Sequence, residues 1–208
     1  TVSPHGGAVA LMPGVPGHEL YEPTPRRTTS LTVSYLDDRA PRTYELDGNI
    51  EPEMFSLDED GLFVLEFDPP TDPEGYFVRR LDLETGELTD TGAPQVGLNP
   101  KMRGKARAQA LHPDGTWLLT LYTLPDDAPI DADTPDRHSF IHVINLDEEW
   151  SYCIFLDGPI GSADESLVGM GLSPDGDQAI VADPATSTVA RVDVEALSVV
   201  QTEHVEQL

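Results

Sequence analysis

The densest set of chemically active side chains lies in residues 124–138, LPDDAPIDADTPDRH. It holds five aspartates and a histidine: Asp126, Asp127, Asp131, Asp133, Asp136 and His138. Carboxylate oxygens are the ligands that Ca²⁺ prefers, so calcium is the one cofactor that we consider for this segment. The EF-hand pattern fails, because Asp131-x-Asp133 lacks the glycine at the sixth position and the later glutamate. We therefore expect a solvated acidic loop that contacts a partner, and no bound cofactor.

Basic side chains alternate in a second segment, QVGLNPKMRGKARAQ, residues 95–109. Lys101, Arg103, Lys105 and Arg107 supply four of the 12 bases in the chain. In a β-strand, an alternation with period two places all four on one side. Two interpretations stay open: the four bases bind an anionic partner, or they balance acidic loops nearby.

The remaining candidates for chemistry are the histidines and the single cysteine. His138 and His142 are four residues apart, which in a strand is about 13 Å, too far to share a zinc ion. Cys153 is the only cysteine, which excludes an internal disulfide and a cysteine-based zinc site. No G-x-S-x-G elbow, phosphate loop or dinucleotide motif occurs. The sequence therefore offers no catalytic residues.

The charge balance limits the classes of partner. The chain has 38 acids and 12 bases, a net charge of −26. Such a field repels nucleic acid and anionic lipid, so neither is expected to bind. No stretch approaches the roughly 20 apolar residues of a membrane span, so membrane insertion of this segment is not expected.

These residues are set in a repeat. The phrases VSPHG, LDEDG, LHPDG and LSPDG end at Gly6, Gly61, Gly115 and Gly176, which are 55, 54 and 61 residues apart. Each contains the residue pattern of a tight turn, and we expect Asp60, Asp114 and Asp175 to cap backbone amides of their own turns.

Strand patterns surround each turn. In the last copy, residues 168–172, 178–183, 189–194 and 199–205 form four predicted strands joined by short turns. Four-stranded units at this period predict an all-β protein, a β-propeller of four-stranded antiparallel blades. The single predicted domain, 1–208, divides into blades at about 1–48, 50–94, 105–158 and 166–205. Residues 1–28 fit the repeat least well.

In the first copy almost no residues precede the turn, so we expect its innermost strand to be missing. We therefore expect about four blades that belong to a larger ring, and a chain that is part of a longer polypeptide.

The sequence of the last copy resembles a blade of YVTN-type, surface-layer-like propellers: LSPDGDQAIVADPATSTVARVDVEALSVVQT. The phrases LDGNIEPEMFSLDEDGLFVLEF and MRGKARAQALHPDGTWLLTLYT are similar to uncharacterised actinobacterial proteins of this class. The resemblance covers most of residues 46–205. It implies the propeller fold and an exported or cell-surface location, and no established activity.

In propellers of this class, ligands bind at the end where the second strand of each blade leads to the third. The resemblance places three loops there: 14–28, which contains Tyr21 and Glu22, 69–75, and 124–138. From the unusual length and composition of these loops we predict a recognition or scaffold module, displayed outside the cytoplasm, that binds a protein or an envelope glycan. The alternative is a lactonase-like hydrolase with carboxylates at the central tunnel, for which Asp183 is a candidate. A structural repeat of a surface lattice is a third hypothesis.

Overall fold

The computed structural model describes residues 1–13, 23–92, 101–124 and 137–206. Within these ranges the secondary structure consists of strands and one short 3₁₀ helix, η1 (Glu165–Leu167). The strands are β1 (Ala8–Leu11), β2 (Thr28–Tyr35), β3 (Arg42–Asp47), β4 (Asn49–Phe55), β5 (Gly61–Asp68), β6 (Gly75–Asp82), β7 (Leu88–Asp90), β8 (Lys105–Leu111), β9 (Trp117–Thr123), β10 (Ser139–Asn145), β11 (Trp150–Leu156), β12 (Gly169–Leu172), β13 (Gln178–Asp183), β14 (Thr188–Asp193) and β15 (Ser198–His204). No helix in the described ranges is long and apolar enough to cross a membrane.

The strands form four sheets in chain order. Sheet 1 has the order β1-β2-β3, sheet 2 β4-β5-β6-β7, sheet 3 β8-β9-β10-β11 and sheet 4 β12-β13-β14-β15. Each strand pairs with its neighbour in sequence, so each sheet is a meander. In sheet 1 the innermost strand is reduced to one bridge, between Val2 and Val9, as its short sequence predicts.

The chain divides into two compact units, each with its own hydrophobic core. Unit 1 comprises Thr1–Arg103 with Asn145–Ser151, and unit 2 comprises Gly104–Ile144 with Tyr152–Leu208. In unit 1, Leu31 and Val33 of sheet 1 pack with Leu62 of sheet 2. The two cores bury the aliphatic positions that alternate along the strands.

The core of unit 2 joins sheets 3 and 4 in the same way. Leu121 and Ile141 of sheet 3 pack against Val181 and Val192 of sheet 4. The side chains between them in sequence lie on the other face of each sheet, because the strand repeat is two residues. Consecutive four-stranded antiparallel meanders that pack face to face are the blades of a β-propeller, and the fold class predicted from the sequence is confirmed.

The turn before the second strand of each sheet has the same geometry throughout. A backbone N–H donates to the carbonyl five residues later in each copy: Ser3 to Ala8, Ser56 to Gly61, His112 to Trp117 and Ser173 to Gln178. The fourth residue of each turn has a positive φ, which glycine adopts most readily. These residues are Gly6, Glu59, Gly115 and Gly176.

The second copy therefore differs from the alignment drawn on the sequence. Gly61 is not the turn glycine, because it begins β5 and pairs with Asp82. Glu59 takes the left-handed position, with φ of 61°. Asp58 accepts a hydrogen bond from the backbone N–H of Asp60 (3.2 Å), which is the role predicted for Asp60. The repeat is displaced by two residues in this copy.

The turn aspartates of the other copies act as predicted. The Oδ1 atom of Asp114 accepts from the N–H of Thr116 at 2.9 Å, and that of Asp175 accepts from the N–H of Asp177 at 3.3 Å. Both carboxylates are occupied by their own turns, which explains their presence without a role in binding.

Candidate functional site

The predicted basic residues lie at one kind of sheet end. We call the end where the second strand of a sheet leads to the third the loop-bearing end. Lys105, at the start of β8, pairs with Thr123, at the end of β9, so it lies at the loop-bearing end of sheet 3. Lys101 precedes β8 and lies beside Asp68, at the loop-bearing end of sheet 2.

The four bases do not share one strand. β8 begins at Lys105, so only Lys105 and Arg107 belong to it. Its pairing with β9 is also irregular between Ala106 and Ala108, which interrupts the simple alternation. The sequence pattern alone could not locate this irregularity, because it depends on how β9 pairs with β8.

Arg107 is the centre of a polar cluster in unit 2. Its Nε donates to Thr123 Oγ1 at 2.7 Å, and Thr123 Oγ1 donates to Glu165 Oε2 at 3.0 Å. The guanidinium of Arg107 also forms an ion pair with Glu165. Thr123 is fully buried, whereas the side chains of Arg107 and Glu165 are 17% and 33% exposed. We call Lys105, Arg107, Thr123 and Glu165 the Arg107 cluster.

Glu165 is held in this cluster as a carboxylate. Burial favours its protonated form, but the hydrogen bonds from Arg107 and Thr123, together with the charges of Arg107 and Lys105, lower the pKa of Glu165. The short helix η1 presents it: Asp164 caps this helix by accepting from the N–H of Ser166 at 3.1 Å. The sequence did not single out Glu165, because the contact depends on the placement of a distant connection.

Lys101 has a comparable partner in unit 1. Its Nζ lies 2.8 Å from Asp68 Oδ2. The adjoining residue Met102 exchanges two backbone hydrogen bonds with Tyr76, at 2.8 and 2.7 Å. Gly75 permits this approach, since a Cβ there would lie 2.4 Å from the carbonyl oxygen of Met102. Arg103 is exposed.

These contacts bear on the two interpretations of the basic segment. Lys101 and Arg107 each pair with an acid, so part of the segment does balance nearby carboxylates. Arg103 and Lys105 are exposed residues, so a partner can reach them.

Most acidic and aromatic candidates lie outside the described residues. These are Tyr21, Glu22, Asp126, Asp127, Asp131, Asp133 and Asp136. The calcium hypothesis for loop 124–138 falls on the same residues. His138 is described: its backbone carbonyl accepts from the N–H of Leu124 at 2.7 Å, which closes the base of that loop.

Of the other two candidates for chemistry, His142 is buried and Cys153 is half-buried. His142 lies within β10 and is 1% exposed, and burial lowers its pKa to about 4. Burial raises the pKa of the Cys153 thiol to about 12. A thiol in that state is a poor nucleophile, because the thiolate is the reactive form.

Asp183, the candidate for a catalytic carboxylate, is fully buried and engaged by backbone amides. Its Oδ1 accepts from the N–H groups of Ala185 (2.9 Å) and Thr186 (3.3 Å), and its Oδ2 accepts from Gly161 at 2.8 Å. This side chain fixes the β13–β14 turn to the connection before β12. It has a structural role.

One acidic cluster was not foreseen from the sequence. Asp58, Asp60 and Glu149 of unit 1 place carboxylate oxygens within 4.8 Å of one another, close enough to hold a metal ion. Arg80 already lies among them, with Nη2 at 2.5 Å from Asp60 and Nε at 2.5 Å from Glu149. Its guanidinium offsets part of the negative charge of the three acids.

The protonation of this cluster reflects its crowding. Burial, a hydrogen bond shared with Asp58 and the charge of Asp58 raise the pKa of Asp60, against the influence of Arg80. The pKa of Asp58 is lowered: burial opposes this, but Asp58 accepts from Ser56 and from the backbone of Asp60. The pKa values of the two neighbouring carboxylates are therefore shifted in opposite directions.

Comparison with known proteins adds no family. No protein-family model matches the sequence, and no curated protein matches it. Many solved structures are similar in fold.

The β-propeller domain of the trilobed protease from Pyrococcus furiosus is 12% identical, with a TM-score of 0.49, and the match covers 99% of this chain and 56% of that one. The β-propeller domain of Swd1 from Myceliophteria thermophila is 13% identical (TM-score 0.44), with 88% of this chain and 50% of that one covered. Hydrazine synthase from Kuenenia stuttgartiensis is 14% identical (TM-score 0.49), with 93% and 51% covered. The chain spans about half the length of these structures, and likeness at this level carries no argument about function.

Proposed function

We propose that this β-propeller module is a recognition module that binds a protein partner through the loop-bearing end of sheet 3. The observation that carries the proposal is the Arg107 cluster. Lys105 and Arg107 stand at the start of the inner strand β8, beside the acid Glu165. This end therefore presents both signs of charge in a chain whose net charge is −26.

The chemistry of the cluster favours protein as the partner. Arg107 is held by Thr123 and Glu165, so its orientation is fixed before a partner arrives. Preorganised arginines surrounded by partly buried groups are typical of the energetically important centres of protein interfaces. An envelope glycan is the other candidate, and it would be distinguished by the binding experiment below. The surrounding negative charge disfavours nucleic acid.

A lactonase-like hydrolase has less support. Both carboxylate oxygens of Asp183 accept hydrogen bonds from backbone amides, and Glu165 is paired with Arg107. Neither carboxylate is placed as an acid or base toward a substrate, and no second observation favours hydrolysis. We keep the extracytoplasmic location as part of the proposal, on the strength of the resemblance to surface-layer-like propellers.

The test reverses one charge at each of two exposed positions. Lys105→Glu should weaken capture of the partner from an envelope extract by at least about tenfold. The reason is that the new carboxylate repels the acidic group of the partner that Lys105 would contact. Arg39→Glu is the control for position, since Arg39 lies in the β2–β3 hairpin, at the end opposite the loop-bearing end of sheet 1. Because this change also removes the ion pairs of Arg39 with Asp37 and Glu59, capture is measured well below the melting temperature of the variant. This variant should capture as well as the unmodified chain.

Thermal unfolding of both variants accompanies the binding measurement. The melting temperature of Lys105→Glu should stay close to that of the unmodified chain. An unchanged set of captured proteins for Lys105→Glu would contradict the proposal. A second variant replaces residues 125–137 by a short Gly-Ser loop and tests whether the adjoining loop contributes. Capture of polysaccharide in place of protein would favour the glycan alternative.

A further inference from the structure

The segment that carries Glu165 is attached to the rest of unit 2 by few groups. Ile160 and Val168 are buried in the core of unit 2 and fix the two ends of this segment. Between them, the short helix η1 has no buried residue, and Leu167 is 53% exposed. Within the described ranges, Glu165 is the only residue of 162–167 whose side chain forms a hydrogen bond or ion pair with a strand. The polar attachment of η1 to sheet 3 thus depends on one carboxylate.

The groups that hold this carboxylate belong to the sheet itself. Arg107 is part of β8, and Thr123 is the last residue of β9, which Leu121 anchors in the core. The guanidinium of Arg107 pairs with Oε1 of Glu165, and Thr123 Oγ1 donates to Oε2 at 3.0 Å. The charge of Lys105 acts on the same carboxylate. Each carboxylate oxygen therefore has its own donor, an arrangement that suits a carboxylate in particular.

These donors stay in place whether or not Glu165 is bound. Arg107 Nε donates to Thr123 Oγ1 at 2.7 Å, which orients the guanidinium without help from Glu165. If Glu165 left, the hydroxyl hydrogen of the buried Thr123 and a guanidinium side chain that is only 17% exposed would both lack an acceptor. Such groups are costly to leave unpaired. The site therefore requires a carboxylate, but the donors do not require that it come from residue 165.

We propose that Glu165 occupies a carboxylate receptor in the free protein, and that an aspartate or glutamate side chain of the partner replaces it there. The receptor consists of Lys105, Arg107 and Thr123. The inference rests on the protein-binding function proposed above and names the group that the partner supplies. Glu165 reaches the donors from one turn of helix, so an acidic side chain on a turn of the partner reproduces its approach. Because Glu165 competes for the same donors, it lowers the apparent affinity for the partner.

A peptide copy of the segment tests the receptor without the partner. The probe is residues 161–167, GSADESL, acetylated and amidated so that its carboxylates are all on side chains. Glu165→Ala in the 208-residue chain empties the receptor. This variant should bind the probe at least about tenfold more tightly than the unmodified chain does, because the internal competitor is gone. Chemical-shift changes in NMR spectra measure the binding at physiological ionic strength, which screens the net charge of −26.

Matched variants separate the receptor from general charge effects. A probe with Glu165→Gln should lose most of the binding, since an amide offers one acceptor oxygen and no charge. Adding Arg107→Gln to the Glu165→Ala chain should abolish the binding. Glu195→Ala removes an exposed acid from the β14–β15 hairpin, at the end of sheet 4 opposite the loop-bearing end, and should bind the probe no better than the unmodified chain.

Glu165→Gln in the chain is the second emptied variant, because it keeps an acceptor for Thr123 if Glu165→Ala does not fold. Circular dichroism spectra like that of the unmodified chain provide the fold control. The receptor is overturned if neither emptied variant binds the probe more tightly than the unmodified chain does. It is also overturned if the probe with Glu165→Gln binds equally well.

Capture from the envelope extract then tests the role of the partner. Glu165→Ala should capture more of the partner than the unmodified chain, whereas Lys105→Glu captures less. If both variants capture less, Glu165 contacts the partner directly, so this inference fails while the proposed function stands. Capture that Lys105→Glu leaves unchanged contradicts the proposed function, and with it the role of the partner's carboxylate, even where the probe binds.

Discussion

His142 is a buried imidazole whose two ring nitrogens have no hydrogen-bond partner among the described residues. It lies on β10 between Ile141 and Val143, and its ring makes an edge contact with Tyr122, at 6.5 Å between centroids. Because a proton there would be an uncompensated buried charge, burial lowers the pKa of His142 from 6.5 to about 4. The folded protein therefore keeps this side chain neutral.

We expect His142 to make the protein acid-sensitive. Between pH 6.5 and about 4 the unfolded chain binds a proton at His142 and the folded chain does not. The contribution of His142 to the free energy of unfolding is therefore largest above pH 6.5. It falls by about 3 kcal/mol as the pH decreases through this window. His142→Leu should flatten the pH dependence of the free energy of unfolding, measured by urea denaturation.

The exposed His204 supplies the control for that measurement. His204→Leu replaces an exposed histidine of β15, which folding does not bury. The pH dependence of the free energy of unfolding of this variant should therefore match that of the unmodified chain. Equal slopes for His142→Leu and the unmodified chain would show that His142 gains a compensating partner when protonated.

At the scale of the element, the β4–β5 turn departs from its counterparts. Glu59 has φ of 61°, where the equivalent turns have glycine. A side chain in this region costs about 1 kcal/mol. Contacts offset that cost: Ser3 Oγ donates to Glu59 Oε1 at 2.7 Å, and Arg39 Nη2 lies 3.2 Å from Oε2. Glu59 thereby ties the turn of sheet 2 to sheet 1.

Two substitutions separate the strain from the contacts. Glu59→Ala loses the contacts and keeps the strained φ, whereas Glu59→Gly loses the contacts and relieves the strain. We expect Glu59→Gly to be more stable than Glu59→Ala by about 1 kcal/mol in chemical denaturation. Gly115→Ala should lower stability by a similar amount, since Gly115 has φ of 81°. If Glu59→Ala equalled Glu59→Gly, the turn would have relaxed out of the left-handed conformation.

The same turn shows what the sequence could and could not predict. Strand patterns are local, so β13 was placed at the correct residues and its neighbours within one residue. The Asp60–Gly61 pair looked like the turn dipeptide, but the pairing of Gly61 with Asp82 draws it into β5. Register depends on the partner strand, which a turn motif does not specify.

At the scale of the whole molecule, the candidate sites depend on contacts between distant segments. The Arg107 cluster joins β8, β9 and η1, and Arg80 meets Glu149 from a turn 69 residues away. The sequence identified Arg107 as a candidate, but neither Glu165 nor Arg80, because no local pattern records which segments meet. The excess of acids, in contrast, can be read from the sequence directly, because it is a property of composition alone.

That excess leads to a prediction about salt. With 38 acids against 12 bases, carboxylates repel one another in the folded chain more than they do in the expanded unfolded chain. Screening at about 0.5 M NaCl shortens the Debye length to a few ångströms, so the melting temperature at pH 7 should rise above its value at low salt. The ion pairs of Arg80 and Arg107 are partly buried and are screened less. Scanning calorimetry at several salt concentrations measures the effect, and the control is the same series near pH 4.2, the sequence pI, where net repulsion vanishes and the rise should be lost. A melting temperature that falls with salt at pH 7 would mean that the ion pairs contribute more to stability than repulsion removes.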